Sequence, residues 1–173
     1  MKSSSNIGIL LAAGAGTRIS ELTNDPKSLL KINGKTLIDW HLAHMEMLNF
    51  KKIIIITGYK HDKIKNYVEQ ITCNIEIKII KNQDFDIKGN TFSMYMGLKN
   101  ADDNVLIIDA DLVYTHNIIS SYMKLPLKNS ILVGNGDIND EECAKTLIDN
   151  DGYLKKTIDK RHLSRYEMDK YNF

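Results

Sequence analysis

Ile7-Gly8-Ile9-Leu10-Leu11-Ala12-Ala13-Gly14-Ala15-Gly16-Thr17-Arg18 runs from the composition of a buried strand into a turn of small residues and ends on a charge. Residues 7–11 have the length and apolar continuity of a first strand. Gly14 and Gly16 carry no side chain, so backbone N–H groups there can come close to a phosphate or a base edge. Lys27 follows nine positions after Arg18, within Asp25-Pro26-Lys27-Ser28-Leu29. The pattern is that of a polyphosphate cradle with two counter-charges. A dinucleotide fingerprint would need a third glycine at position 19, where Ile19 stands, and a P-loop would need glycine and then lysine. Both fail. A tight turn with no ligand would explain the glycines and leave Arg18 and Lys27 without a reason.

Outward from this stretch, apolar runs of strand length alternate with helix-period segments, the mark of βα units feeding a largely parallel sheet. Thr36 can cap a helix over 36–48, with Leu37, Ile38, His41, Leu42, Met45 and Leu48 on one face. The run Lys-Ile-Ile-Ile-Ile-Thr at 52–57 predicts a strand buried on both faces, ended by Gly58. A helix over 62–70, a strand over 75–80, a helix over 91–100 and a strand over 104–108 follow, the last leading into Asp109-Ala110-Asp111. The expected fold is α/β, a Rossmann-like three-layer α/β/α arrangement with a mostly parallel sheet. Ligands in such sheets sit outside the carboxyl ends of the strands, so 14–18 and 109–111 are where a site belongs. Beyond Pro126, residues 130–133 and 144–148 are strand-like, 149–152 is a turn, and 153–158 can return as a hairpin partner.

The length of 173 residues suits one globular domain spanning 1–173. With 23 basic and 22 acidic residues the chain has no field to gather nucleic acid or an anionic membrane, and neither is an expected partner. Cys73 and Cys143 lack metal-site spacing and read as reduced thiols. The start is polar and the first apolar run is too short for a signal core or a membrane span, so the expected location is cytoplasmic.

The stretch Leu11-Ala12-Ala13-Gly14-Ala15-Gly16-Thr17-Arg18, the Pro26-Lys27 pair and Gly34-Lys35-Thr36-Leu37-Ile38 together resemble the nucleotidyltransferases that join an NTP to a phosphorylated acceptor. The likeness runs from residue 7 to about residue 111. Asn90-Thr91-Phe92-Ser93-Met94-Tyr95 and Ile107-Ile108-Asp109-Ala110-Asp111 look like segments of the phosphocholine and 2-aminoethylphosphonate cytidylyltransferases. The resemblance implies the nucleotide-diphospho-sugar-transferase type of fold, CTP or another NTP as one substrate, a small phosphorylated acceptor as the other, and pyrophosphate as product. It also implies that the backbone of Ala12, Ala13 and Gly14 reads the base, and that Asn90 and Ser93 lie near base and ribose. The nucleotide-binding stretch takes in Leu11, Ala15, Gly16 and Thr17, and Asp109 is counted with it.

Between two anions the barrier to phosphoryl chemistry is largely charge repulsion, so the catalyst must neutralise and align. Arg18 is assigned to the leaving β,γ-phosphates and Lys27 to the α-phosphate and attacking oxygen. Mg²⁺ prefers carboxylate, phosphate and water oxygens, which makes Asp111 the natural protein ligand and Asp109 the weaker candidate. His41 and His44 read as packed or surface histidines of a helix, and Asp137, Asp140, Glu141 and Glu142 as a solvated acidic turn. Trp40, Tyr59, Tyr95 and Tyr114 could line a cage for a quaternary ammonium group, although Trp40 fits a core position better.

The family holds its metal with a second, later carboxylate, and neither Asp159 nor Asp169 matches its pattern. The expectation is therefore a chain lacking the family's C-terminal acceptor-binding part, with a homodimer completing the acceptor site as the alternative. A sugar-1-phosphate nucleotidyltransferase using UTP, dTTP or GTP and a non-catalytic nucleotide-binding module are the competing functions.

Overall fold

A computed structural model describes residues 6–17, 23–126, 129–134, 136–141, 143–158 and 161–170. Two compact units make up the chain, 1–123 and 124–173.

In the first unit, β1 (Ile7–Ala12), the two-residue strands β2 (Lys31–Ile32) and β3 (Lys35–Thr36), α1 (Leu37–Met47), β4 (Lys52–Thr57), α2 (His61–Val68), β5 (Glu76–Lys81), α3 (Phe85–Lys99), β6 (Val105–Asp109) and α4 (His116–Tyr122) follow in order. The main sheet has the order β5-β4-β1-β6 and is parallel throughout. Winding runs from β1 through β4 to β5, then returns to place β6 on the far side of β1. The strand order therefore reverses beside β1, and the crevice of such a switch point opens at the carboxyl ends of β1 and β6.

Alternation along the strands builds two cores. Leu10, Ala12, Ile53, Ile55 and Ile108 meet Ile38, Leu42 and Met45 of α1, Ile64 and Val68 of α2 and Ile119 of α4. Ile7, Ile9, Ile54 and Ile56 face the other way, with Met96 of α3 packed on them. The three expected layers are present. The four isoleucines of β4 have no exposed surface, as their uninterrupted run required.

Thr36 starts α1 through a capping box: its hydroxyl accepts from the Asp39 N–H at 3.1 Å, and the Asp39 carboxylate accepts from the Thr36 N–H at 2.9 Å. The helix expected over 91–100 begins earlier, at Phe85, and is interrupted at Gly89, whose φ of 62° and ψ of −166° belong to a region that side chains exclude. The chain thus starts a second helical run at Asn90.

In the second unit β7 (Lys145–Ile148) and β8 (Leu154–Ile158) form the expected antiparallel hairpin, followed by α5 (Arg165–Lys170). Asp149 builds the turn by accepting from the N–H groups of Asp151 and Tyr153. Glu167 is buried and accepts from Arg161, Lys156 and Ser164. Residues 130–133, read as strand-like, form no strand; Ile131, Leu132 and Val133 are all more than half exposed, so apolar composition found no partner to pair with.

Candidate active site

Leu11 of β1 stands beside Asp109 of β6 in the sheet, so the chain leaving each strand enters the same crevice. The Ala110 N–H donates to the Leu11 carbonyl at 3.1 Å, and the Tyr59 N–H donates to the Ala13 carbonyl at 3.0 Å. These bonds pin both sides of the β1 exit. Ala12 and Ala13 are buried, whereas Gly14, Ala15 and Thr17 are exposed and Gly16 is half-exposed. The turn that sequence reading selected is therefore presented at its glycines and anchored at its alanines.

Lys27 reaches this turn from a separate segment. Buried Pro26 leads into a short 3₁₀ turn, Lys27–Leu29, which is held by Leu29 and Leu30 N–H bonds to the carbonyls of Pro26 and Lys27. The Leu37 N–H then donates to the Leu30 carbonyl, docking this turn at the start of α1. The stem of Lys27 lies against Gly16, which has a φ of 65°; a Cβ there would stand 2.8 Å from Lys27 Cγ. Glycine at 16 is favoured by the backbone conformation, and its missing Cβ leaves room for the lysine stem as it lies here.

The Lys27 ammonium lies 3.3 Å from Asp111 Oδ2, joining residues 84 positions apart. Asp109 lies two residues away, and Asn90 Nδ2 donates to its Oδ1 at 3.5 Å. Asp109 reaches solvent, yet crowding at the strand ends strips water from its carboxyl. That desolvation, with the charge of Asp111 second, raises its pKa. Two neighbouring acids that repel each other, one of them paired with a lysine, have the donor chemistry of a cation site.

Lys27, Asp109, Asp111, Asn90 and the 11–17 stretch are brought to one crevice. Arg18 lies outside the described residues, as do Glu142 and Asp159. Ser93, expected near the ribose, is 1% exposed; its hydroxyl accepts from Asn82 Nδ2 at 2.9 Å, which fastens α3 to the end of β5. The four aromatic side chains of the expected cage make no ring contact with one another, although Trp40 and Tyr114 both pack on His44. Lys35 lies over Trp40 and Lys60 over Tyr59, Tyr95 stacks on Phe92, and Tyr114 packs against His41. Asp137 accepts from Asn139 in a local turn, and Glu141 pairs with His162. Neither cysteine forms a disulfide. Among the described residues no helix is long and apolar enough to cross a membrane.

Two supports escaped sequence reading. Lys60 and Lys63, at the start of α2, donate to Asn24 and Asp25, and Lys63 lowers the Asp25 pKa. They hold the segment just before Pro26-Lys27. His41 and Tyr114 meet behind 109–111, with Nδ1 and Oη 2.9 Å apart. Isolated lysines carry no periodic signal, and the apolar face that placed His41 on α1 does not name its partner 73 positions away.

Against protein-family models the chain matches the MobA-like NTP transferase domain over residues 8–133. It is 33% identical over 104 residues to the choline-phosphate cytidylyltransferase of Streptococcus pneumoniae, a stretch covering 60% of this chain and 43% of that protein. It is 43% identical over 61 residues to a probable glucose-1-phosphate cytidylyltransferase of Bacillus subtilis, covering 34% and 24% respectively. The solved structure of the CTP:phosphocholine cytidylyltransferase from Streptococcus pneumoniae is similar with a TM-score of 0.55 and 31% identity, over 62% of this chain and 45% of that one. The matched part of the chain thus spans less than half the length of these relatives.

Proposed function

The chain belongs to the MobA-like NTP transferase domain family, and on that premise we propose that it transfers a cytidylyl group from CTP to phosphocholine or an aminoalkylphosphonate, with release of pyrophosphate. The observation that carries this reading is the meeting of Lys27 and Asp111 at 3.3 Å, at the mouth of the β1–β6 crevice and beside the glycine turn. All three names carry the cytidylyl group; the two from Streptococcus pneumoniae name phosphocholine as acceptor, and the one from Bacillus subtilis names glucose 1-phosphate.

An oxygen of the acceptor's phosphate or phosphonate forms a bond to the α-phosphorus as the bond to the bridging α,β-oxygen breaks, and pyrophosphate leaves with that oxygen. No covalent enzyme intermediate is needed. Lys27 is held by its turn and by Gly16 where it can neutralise the α-phosphate and the incoming oxygen, so its charge is aligned before the reactants meet. Arg18 is assigned to the leaving phosphates from sequence alone. The exposed backbone of Gly14 and the buried edge at Ala12 and Ala13 are assigned to the base, and Asn90 to the nucleoside side of the crevice through its place beside Asp109.

The two carboxylates fit a divalent cation, since Mg²⁺ takes one or two such oxygens and completes its shell with phosphates and water. Asp111 would hold it, with Asp109 next to it, and Mg²⁺ when bound would supply charge neutralisation and alignment of the phosphates. The contact with Lys27 keeps the Asp111 carboxylate oriented.

The test is Mg²⁺-dependent pyrophosphate release from CTP, with phosphocholine and 2-aminoethylphosphonate offered separately. Release that needs one acceptor and falls about 100-fold or more in Lys27→Ala is expected, by analogy with the loss of one preorganised charge donor. A sugar 1-phosphate acceptor is the second reading, favoured by the 43% match to a glucose-1-phosphate enzyme. Turnover with glucose 1-phosphate, or with UTP, dTTP or GTP in place of CTP, would select it. CTP binding without any release would leave a non-catalytic nucleotide-binding module.

A further inference from the structure

We infer that His41, acting through the Tyr114 hydroxyl, is a positioning residue for the 109–111 turn and so for the divalent cation assigned to Asp111. This rests on the reading of Asp111 given above.

The turn leaves β6 with two backbone ties: the Ala110 N–H to Leu11 and the Leu112 N–H to the Asp109 carbonyl at 3.2 Å. The chain then runs outward, with Leu112 and Val113 both more than half exposed. Tyr114 is the next side chain to come back to the protein. Its ring lies 5.4 Å from that of His41 and 5.2 Å from that of His44, and its Oη meets His41 Nδ1 at 2.9 Å. His41 itself is 1% exposed. A hydrogen bond to a buried histidine fixes a direction as well as a distance, which apolar packing at the same place would not.

The helix that carries His41 gives the contact its consequence. The start of α1 docks the turn bearing Lys27, through the Leu37 bond to Leu30. One turn further along, His41 holds the segment that follows Asp111. A single rigid helix thus sets both partners of the Lys27–Asp111 contact. Burial keeps the two groups neutral: it pushes His41 down to about 4 and Tyr114 up to about 12, so the strut persists throughout the ordinary pH range.

Groups that orient a metal ligand from behind commonly cost about 10-fold or more in metal affinity when removed. The experiment is titration of Mn²⁺ into the protein–CTP complex, with free Mn²⁺ followed by electron paramagnetic resonance and CTP binding measured separately without metal. Tyr114→Phe, which removes one oxygen and keeps the ring, is expected to weaken Mn²⁺ binding about 10-fold while metal-free CTP affinity and circular dichroism stay as in the wild type. His41→Phe should match it. If that variant fails to fold, Tyr114→Phe carries the test. Wild-type Mn²⁺ affinity in Tyr114→Phe, with affinity lost in Asp111→Asn, overturns the inference and leaves the reading of Asp111 standing. Equal Mn²⁺ binding by wild type and Asp111→Asn overturns both.

Discussion

Lys27, Asp109 and Asp111 form a small electrostatic system whose parts answer to one another. Desolvation and the neighbouring charge both raise the Asp109 pKa, so removing the second cause should lower it. In Asp111→Asn, titration of the Asp109 carboxyl by carbon NMR should shift to lower pH, and pyrophosphate release should be lost. An unchanged Asp109 titration would mean that the two carboxylates do not interact. His41 shifts the opposite way from the same leading cause, because burial disfavours its charged form. Its folded pKa of about 4 lies below the unfolded value of 6.5, so the unfolded chain binds the extra proton between them. Stability on this account is full above the unfolded value and is lost as pH falls through the window from 6.5 to 4. The loss amounts to about 3 kcal/mol. Urea unfolding across that window should show it, and His41→Phe should flatten the slope relative to the wild type.

At the scale of elements, two local devices aim the site. The capping box of Thr36 and Asp39 fixes the start of α1, and Tyr67 of α2 donates to the same Asp39 carboxylate at 2.7 Å. Thr36→Ala should cost about 1 kcal/mol in chemical denaturation, with little change in CTP affinity, because the helix end loses a partner and the crevice keeps its shape. Gly89 is the other device. Any L side chain at its φ and ψ is strained by about 1–3 kcal/mol, and the relief is to straighten α3. Gly89→Ala should therefore lower stability and raise the KM for CTP together, since straightening α3 moves Asn90 away from Asp109. Unchanged stability and unchanged KM would show that the interruption has no role. The periodicity of 91–100 revealed the second part of α3 and not the turn before it, because a glycine among polar residues does not announce its dihedral angles.

At the scale of the whole chain, the 124–173 unit has its own polar anchor. Glu167 is held well below the usual carboxylate range, chiefly by Arg161 and then by Lys156 and Ser164. A carboxylate with a depressed pKa stabilises at neutral pH, and that contribution is lost as pH falls through the acid range below its unfolded value of 4.5. Glu167→Gln should speed hydrogen–deuterium exchange in β7 and β8 at neutral pH while the amides of β1 and β4 keep their protection. Equal loss in both places would mean that the two units share one cooperative transition.

The order of the main strands and helices in 7–109 and the parallel sheet were legible in the sequence, because a buried strand must be a continuous apolar run, and the small-residue turn after β1 marked the crevice proposed as the site. Lys27 and Asp111 could be named for the same reason: charge beside such a turn or strand end has few other uses. Their meeting across 84 residues was decided by tertiary structure, as was the burial of Ser93 under Asn82. So was the exposed course of 131–133, since an apolar run becomes a strand only where a partner edge is available. His41 shows the limit most plainly. On the helix it is one apolar-face residue among six, and what it does depends on Tyr114, 73 positions away, because hydrogen bonds between distant segments are set by packing that no local pattern encodes.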